Sequence, residues 1–183
     1  MIIGVSGKSG SGKSSVARYI ANKLKYYYLD IDELSKNIRS EYKDEIIELV
    51  DLDVIDNEEI DTMKLGNILF NDKELMKKYN LFIYSKQLTK INSYISKYKN
   101  LVIDSMFLPL MEEIFSQIDL NILVVTDENL RMERVIKRDN INEEYYKKRD
   151  RYSLDYSKFE FDFIVDNNID YKEEVDSLLS KYI

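Results

Sequence analysis

A short glycine- and serine-rich stretch near the N-terminus, residues 7–14, has the composition of a phosphate-binding loop. It fits the pattern G-x-x-x-x-G-K-[ST], in which Lys13 and Ser14 fill the last two positions. Glycines let the backbone take positive φ values, so that successive N–H groups can surround phosphate oxygens. Lys13 would reach the β- and γ-phosphates, and the Ser14 hydroxyl would be a ligand of Mg²⁺. The motif therefore predicts a nucleotide site, whereas the alternative is a surface turn with an incidental lysine.

Acidic side chains stand at the ends of two predicted strands. Asp30 and Asp32 end a β-prone run, and Asp104 ends the apolar run 101–104. We expect Asp104 to act at the metal, directly or through water, or at the substrate; the alternative is a carboxylate that caps the following loop. One of Asp30 and Asp32 would accept or orient the proton of an attacking hydroxyl, unless Asp32 is only a helix N-cap.

The segment that follows the fourth predicted strand is rich in cations. Its basic residues are Arg131, Arg134, Lys137, Arg138, Lys147, Lys148, Arg149 and Arg151. Arginine is suited to spread phosphoryl charge, and a segment that carries it can close over a nucleotide. Because acids are interleaved with these cations, the alternative is a solvated helix with ion pairs. We expect a lid in which Arg138 and Arg149 are functional, and a solvated face for the other arginines.

These residues need a scaffold of alternating strands and helices. The sequence predicts strands at 1–6, 26–29, 101–104, 118–125 and 161–165, and helices at 14–25, 32–50, 63–95, 128–138 and 171–182. Residues 51–61 are expected to form a loop, and residues 139–156 a charged, hairpin-like segment. This alternation predicts an α/β layer fold with a parallel sheet. Ligands bind beyond the carboxyl ends of such strands, where the glycine-rich loop and the acids fall.

Composition narrows the chemistry further. The chain has 183 residues, a net charge of −7, and neither cysteine nor histidine. One domain is expected, and the negative charge argues against a nucleic-acid binder or a polybasic membrane binder. Thiol nucleophiles, disulfides and the usual zinc ligands are excluded. No stretch has the length to span a bilayer and no leader precedes the first strand, so a cytoplasmic protein is expected.

These motifs resemble those of the dephospho-CoA kinase family, and the resemblance extends over nearly the whole chain. That family opens with a strand and G-x-x-x-S-G-K-S, as in residues 7–14, and places D-x-D after its second strand, as in residues 30–32. The residues that resemble the stretch before its acceptor-binding helices are Ile60, Asp61, Leu65, Gly66, Ile68, Leu69 and Phe70. Arg138 and Asp139, then Arg149, look like its lid, and residues 161–167 are similar to its closing strand, with Asn167 near the adenine.

The resemblance implies a three-layer P-loop kinase fold in a single domain, 1–183. Its core would comprise residues 1–50 and 100–183, with a helical acceptor-binding insertion at 51–99 and a lid at 138–156. The implied reaction moves the γ-phosphate of ATP, with Mg²⁺, to the ribose 3′-hydroxyl of dephospho-CoA, the last step of coenzyme A biosynthesis. Its partners would be these small-molecule substrates, without nucleic acid or membrane, and a monomer is plausible.

The resemblance also assigns roles to residues. Asp32 would be the catalytic carboxylate, Lys13, Ser14 and Ser15 would hold ATP and Mg²⁺, and Arg138 and Arg149 would stabilise the transferring group. The place of Asp104 at a strand end, and not the resemblance, predicts that it joins Ser14 at the metal. The residues expected to bind the nucleotide are Gly7, Lys8, Ser9, Gly10, Ser11, Gly12, Lys13, Ser14, Ser15 and Asn167.

Departures from the family pattern fall mostly toward the acceptor side. Thr62 stands where the family usually has an arginine, Tyr84 and Ser85 replace a histidine-proline pair, Met106 replaces a proline, and Ser153 replaces a glutamine. One alternative is a nucleoside or deoxynucleoside monophosphate kinase, in which Lys36 and Arg39 would grip the acceptor phosphate. Another is a nucleotide-binding module, either a regulatory switch or a degenerate kinase without turnover.

Overall fold

The computed structural model describes residues 1–50 and 54–182, and it divides into two units. We call Met1–Asp30 together with Ile95–Ile183 the P-loop unit, and Ile31–Tyr94 the helical unit. In chain order the strands are β1 (Ile2–Ser6), β2 (Tyr27–Asp30), β3 (Ile55–Asp56), β4 (Glu59–Ile60), β5 (Leu101–Asp104), β6 (Leu120–Val125) and β7 (Phe163–Asp166). The α-helices are α1 (Lys13–Leu24), α2 (Ile31–Glu41), α3 (Lys43–Val50), α4 (Thr62–Asn71), α5 (Lys73–Lys97), α6 (Glu112–Phe115), α7 (Glu128–Asp139), α8 (Glu143–Asp150) and α9 (Lys172–Tyr182).

The P-loop unit is built on a sheet with the strand order β2-β5-β1-β6-β7. Every neighbouring pair in it is parallel. After β1 the chain runs to β2 at one edge, returns to β5 beside β1, and then continues to β6 on the other side of β1, so the loop after β1 leaves the sheet where the strand order reverses. In open α/β sheets this is where ligands bind. The predicted α/β fold with a parallel sheet is confirmed.

Helix α1 fixes the glycine-rich loop to the sheet through one apolar face. Val16, Ala17 and Ile20 on that face are fully buried. They belong to a core cluster that also includes Ile3 of β1 and Val175 of α9. Burying a large apolar side chain contributes about 1.5–3 kcal/mol, so this face anchors the helix start, where the loop ends.

The helical unit differs in detail from the sequence prediction. The helix predicted over 32–50 is interrupted at Tyr42, and the first part begins at Ile31, so Asp32 lies in the first turn and is not an N-cap. Of the predicted loop at 51–61, residues 51–53 lie outside the described part. The remainder holds the antiparallel hairpin β3-β4, whose turn residues Asn57 and Glu58 adopt positive φ values of 47° and 67°.

The second predicted helix, over 63–95, is also two helices. Asp72 separates α4 from α5, and its carboxylate accepts a hydrogen bond from the Leu75 N–H at 2.9 Å. Aspartate competes for backbone donors in this way and therefore favours helix starts over helix interiors. None of the described helices combines the length and the apolar character that crossing a bilayer requires.

The segment expected to be hairpin-like contains a helix, α8. Asn142 starts it by accepting a hydrogen bond from the Tyr145 N–H at 2.8 Å, and Asn140 ends α7 in the left-handed conformation with φ 51°. Asparagine is favoured at both kinds of helix terminus, and this signal in the sequence was missed. The tight connection turns the chain back, so that α8 contacts α7.

Candidate active site

The loop between β1 and α1 has a conformation that glycine alone adopts without strain. Gly10 and Gly12 have φ values of 81° and 87°. A Cβ atom at Gly10 would lie 2.6 Å from the Arg131 carbonyl oxygen, and one at Gly12 would overlap the Asn167 amide nitrogen. Close packing and positive φ together exclude other residues here. The loop ends at the N-terminus of α1, a position that favours bound anions.

Side chains that follow β6 and β7 donate hydrogen bonds to the backbone of the loop. The Asn167 side-chain amide donates to the Ser11 carbonyl oxygen at 2.8 Å, and the Thr126 hydroxyl donates to the same oxygen at 2.9 Å. The Asn167 backbone N–H donates to the Val125 carbonyl oxygen at 2.9 Å. The structure therefore packs Asn167 against the loop backbone, and its place near the adenine stays a prediction.

Two arginines of α7, for which a solvated face was expected, also bind the loop. Arg131 is 4% exposed, and its guanidinium donates to the Ser9 carbonyl oxygen at 3.0 Å and to both Asp150 oxygens. Arg134 donates to the carbonyl oxygens of Gly10 and Asn167, both at 3.3 Å. The helical spacing of 131, 134 and 138 places these arginines along one side of α7, which is the signal that was missed.

The Arg131–Asp150 pair ties α8 to α7. Burial alone would raise the pKa of Asp150, but the Arg131 guanidinium and the Ser153 hydroxyl lower it below the usual value. The Ser153 hydroxyl donates to the Asp150 carboxylate at 2.9 Å. Ser153, which replaces the glutamine of the family pattern, thus has a defined partner in this chain.

The two arginines predicted to be functional converge on one residue of the loop. Arg138 and Arg149 both donate to the Ser9 hydroxyl oxygen, at 3.3 Å and 3.1 Å. Asp139 lies between them and accepts from Arg138 Nε at 2.6 Å and from Arg149 at 2.8 Å. The pKa of Asp139 is lowered, first by Arg138 and then by Arg149, although partial burial opposes this.

The central lysine of the motif faces a buried carboxylate. Lys13 Nζ lies 3.6 Å from Asp104 Oδ1, and the Asp104 side chain is 1% exposed. Burial raises the pKa of Asp104, while the charge of Lys13 and the Ser14 hydroxyl beside it act in the opposite direction. The register of the parallel strands pairs Asp104 with Val5 of β1 and with Asp30 of β2, so the sheet itself brings the predicted acid to the loop.

The residues around Asp104 fit a divalent cation. Asp104 Oδ1 is a buried oxygen that accepts no hydrogen bond within the described residues, and Ser14 contributes a hydroxyl beside it. Carboxylate and hydroxyl oxygens are suitable ligands for Mg²⁺, which keeps several waters or phosphate oxygens. No cluster of three acidic side chains able to hold a metal occurs in residues 1–50 and 54–182.

The structure separates the two acids of the D-x-D motif. Asp30 belongs to the P-loop unit, where its Oδ2 lies 3.2 Å from the Tyr28 hydroxyl oxygen and 3.7 Å from the Arg18 guanidinium. Asp32 belongs to the helical unit and is exposed in the first turn of α2. Asp30 therefore has a structural environment in the sheet, whereas Asp32 lies at an exposed position of α2.

A cavity of about 480 Å³ adjoins the loop within the P-loop unit. Its lining includes Lys8 and Ser11 of the loop, Thr126 after β6, and Ser153 and Tyr156 beyond α8. The Tyr156 hydroxyl donates to the Met106 carbonyl oxygen at 2.6 Å, which fixes this wall to the chain after β5. The dimensions are those of a small-molecule site.

Comparisons with known proteins identify the family of this chain and show that its fold occurs in solved structures. The dephospho-CoA kinase family model matches residues 1–173. A dephospho-CoA kinase from Fusobacterium nucleatum subsp. nucleatum is 33% identical over 176 residues, which cover 92% of this chain and 90% of that protein. A crystal structure of a Thermus thermophilus protein superposes with a TM-score of 0.84 at 22% identity, covering 100% of this chain and 98% of the other. Dephospho-CoA kinase from Campylobacter jejuni gives a TM-score of 0.59 at 23% identity, covering 98% and 97%. Both structures share the fold described above.

Proposed function

The chain belongs to the dephospho-CoA kinase family, and from this membership we propose how its own residues move the γ-phosphate of ATP to the ribose 3′-hydroxyl of dephospho-CoA. The protein is a kinase of coenzyme A biosynthesis that phosphorylates an alcohol group. The observation that supports the residue roles best is that Arg138 and Arg149 both bind Ser9 of the loop whose last residues include Lys13. The family model and the relatives described above give no support to a monophosphate kinase.

The loop would bind the phosphates of ATP. Its backbone N–H groups and the start of α1 provide donors, and Lys13 provides a cation beside the transferring group. Ser14 and Asp104 would hold Mg²⁺, which neutralises charge on the β- and γ-phosphates when it is bound. Ser15 follows on α1 and stays a proposed contact. Asn167 and Thr126 would keep the loop in the required shape through the Ser11 carbonyl oxygen.

Arg138 and Arg149 would stabilise charge on the transferring phosphoryl group. Their side chains are 58% and 43% exposed, so both can exchange the Ser9 hydroxyl for a phosphate oxygen. Asp139 holds the two guanidinium groups in fixed positions before the reaction. Donors that are positioned in advance avoid the cost of reorganisation in the transition state, which is often the largest catalytic contribution. The segment 138–156 would act as the lid.

Asp32 would accept the proton of the 3′-hydroxyl. The oxygen of that hydroxyl forms a bond with the γ-phosphorus, the bond from the γ-phosphorus to the bridging oxygen breaks, and its electrons leave with ADP. Asp32 is favoured over Asp30 because Asp30 Oδ2 lies 3.7 Å from the Arg18 guanidinium, an ion pair that holds the Asp30 carboxylate in the sheet.

The helical unit would bind the acceptor. It contains a cavity of about 410 Å³ whose lining includes the cations Lys36, Arg39 and Lys43 together with Thr62. Dephospho-CoA carries a diphosphate, which such cations would attract. The three cations share the lining with Glu58 and Glu59 and would supply positive charge in the cavity in which Thr62 replaces the arginine of the family pattern.

The roles of the two acids are tested by Asp32→Asn with Asp30→Asn as the matched control. Turnover of Mg²⁺ and ATP with dephospho-CoA is measured together with the dissociation constant of ATP. We expect Asp32→Asn to lower kcat by about 10²- to 10⁴-fold, the usual contribution of a general base, with unchanged ATP affinity. A larger loss in Asp30→Asn than in Asp32→Asn would overturn the assignment.

A cytoplasmic location and a monomeric state stay predictions from the sequence.

A further inference from the structure

Tyr28 is a polar side chain of the P-loop unit to which no role has been assigned so far. Its hydroxyl lies 2.7 Å from Asp104 Oδ2 and 3.2 Å from Asp30 Oδ2, so it stands between two carboxylates. A tyrosine has one hydroxyl proton to donate, and the shorter distance assigns that proton to Asp104. The other Asp104 oxygen, Oδ1, accepts no hydrogen bond within the described residues and lies 3.6 Å from Lys13 Nζ.

The fold holds the Tyr28 ring in this position from several sides. Tyr28 pairs with Val102 in the parallel register of β2 and β5, and two residues further along Asp30 pairs with Asp104. The Arg18 guanidinium carbon lies 4.3 Å from the centre of the ring, which is a cation–π contact. The ring also packs against the buried core cluster. Its hydroxyl is therefore fixed without help from a ligand.

We propose that Tyr28 is a positioning residue for the metal and phosphate site, because its hydroxyl holds Asp104 Oδ2 and thereby leaves Oδ1 as the oxygen that faces Lys13 and the bound nucleotide. This inference rests on the proposed function, in which Asp104 serves the Mg²⁺ that accompanies ATP. A carboxylate without this donor is free to rotate about its terminal torsion, which has a broad energy well, and to offer either oxygen.

The surroundings of the Tyr28 hydroxyl suit a hydrogen-bond donor, because both of its oxygen neighbours belong to carboxylates. Outer partners of this kind orient metal-binding carboxylates, and their loss typically lowers metal affinity or activity by about 10- to 100-fold.

The test compares Tyr28→Phe with Tyr26→Phe. Tyr26 lies two residues earlier and packs against the same core cluster, but its hydroxyl contacts the Met1 sulfur at 3.8 Å, away from Asp104. Calorimetric titration measures ATP binding at a series of Mg²⁺ concentrations and in EDTA, at a temperature where circular dichroism shows the proteins folded. We expect Tyr28→Phe to raise the half-saturating Mg²⁺ concentration by about 10-fold or more. Its ATP affinity in EDTA, and both quantities in Tyr26→Phe, should match the wild type.

A second pair of variants separates positioning from general stability. If Tyr28 acts through Asp104, adding Tyr28→Phe to Asp104→Asn should not change the Mg²⁺ dependence further. An unchanged Mg²⁺ dependence in Tyr28→Phe, an equal added loss in the Asp104→Asn background, or failure of Tyr28→Phe to fold would each overturn the proposal. Wild-type protein that bound ATP without any response to Mg²⁺ would instead overturn the metal site of the proposed function, which the wild-type titration shows by itself.

Discussion

At the scale of single residues, the site depends on charges that the fold holds close together. Lys13 is the clearest case, because its ammonium lies beside the buried carboxylate of Asp104 and at the end of a loop built to surround phosphates. In a site of low polarity, a fixed cation stabilises the charge that develops in the transition state more than it would in water. Its removal should therefore affect the chemical step more than nucleotide binding.

We predict that Lys13→Ala lowers kcat by about 10²- to 10³-fold, in line with the loss of one preorganised group from a transition-state site. Steady-state kinetics with dephospho-CoA measures this, and nucleotide titration measures the accompanying change in ATP affinity. Near-normal turnover would contradict the role given to Lys13. The melting temperature serves as a control, because the variant also leaves Asp104 without its neighbouring cation.

At the residue scale, the sequence indicated candidates whose signal is local and missed a residue whose contacts are distant in sequence; the roles of the candidates stay predictions. Lys13 and Ser14 follow from the spacing of one motif, and Asp104 follows from its place at a strand end. The role of Arg131 could not be derived in this way, because the Ser9 carbonyl oxygen that it binds is 122 residues away in sequence. Interleaved acids made an ion-paired surface the expected environment, whereas packing against the loop buries this arginine.

At the scale of elements, the loop between β1 and α1 depends on backbone conformations that side chains other than glycine disfavour. We predict that Gly12→Ala destabilises the protein and weakens ATP binding, because φ at this position is 87° and a Cβ atom would overlap the Asn167 amide. Strain at such positions costs about 1–3 kcal/mol, and in a protein of this size each 1 kcal/mol lowers the melting temperature by about 2–4 °C.

Gly66→Ala is the matched control for this substitution. Gly66 lies inside α4, and an added Cβ would meet only the Phe70 ring, at an ordinary distance of 3.7 Å. Alanine in a helix interior is favoured over glycine by about 0.5–1 kcal/mol, so this variant should melt at the same or a higher temperature. Equal melting temperatures for Gly12→Ala and Gly66→Ala would show that the loop does not require its left-handed conformation.

Helices α7 and α8 are joined by ion pairs of Asp139 and Asp150, and the charge of Asp139 contributes to stability. The folded-state pKa of Asp139 lies below its unfolded value, chiefly because of Arg138, so ionised Asp139 stabilises the folded state above the unfolded pKa. That contribution is lost as the pH falls from about 3.9, the unfolded value, through the lower folded value.

We predict that Asp139→Asn lowers the melting temperature at neutral pH by at most about 4 °C, since the pair is partly exposed and such pairs contribute about 1 kcal/mol or less. The difference from wild type should shrink toward zero as the pH is lowered below about 4. Calorimetric scans over this range provide the measurement. A difference that stays constant with pH would show that Asp139 acts through packing and not through its charge.

The element scale also shows where periodicity was sufficient. The strands of the sheet were predicted within a few residues because they are short apolar runs with clear ends. The helices of the helical unit were predicted as longer continuous segments because the apolar spacing continues across Tyr42 and Asp72. In the structure one helix ends and the next begins at each of these residues. The hairpin β3-β4 has only two residues in each strand, so its pattern is too short to show alternation.

At the scale of the whole molecule, we propose that ATP binds to the P-loop unit and the acceptor to the helical unit. This division predicts that substitutions in the cavity of the helical unit change one Michaelis constant and not the other. Lys36 lines that cavity, whereas Lys77 is an exposed lysine on α5 outside its lining. Both lie in the helical unit, so the pair controls for a general loss of positive charge.

We predict that Lys36→Ala raises the KM for dephospho-CoA by about five-fold, as expected when one exposed charge pair of about 1 kcal/mol is lost, and leaves the KM for ATP unchanged. Lys77→Ala should leave both constants unchanged. Initial-rate kinetics with each substrate varied in turn provides the values. An effect of Lys36→Ala on ATP alone would contradict the assignment of the acceptor to this unit.

The most direct test of the central claim is the identity of the product. Purified protein is incubated with Mg²⁺, ATP and dephospho-CoA, with parallel samples containing AMP, CMP, dTMP or no acceptor, and the products are identified by mass and by the NMR position of the new phosphate. We expect ADP together with a single phosphorylated product that carries phosphate on the ribose 3′-oxygen. This product should form only in the sample that contains dephospho-CoA. Phosphorylation of a nucleoside monophosphate instead, or ATP binding without transfer to any of these acceptors, would contradict it.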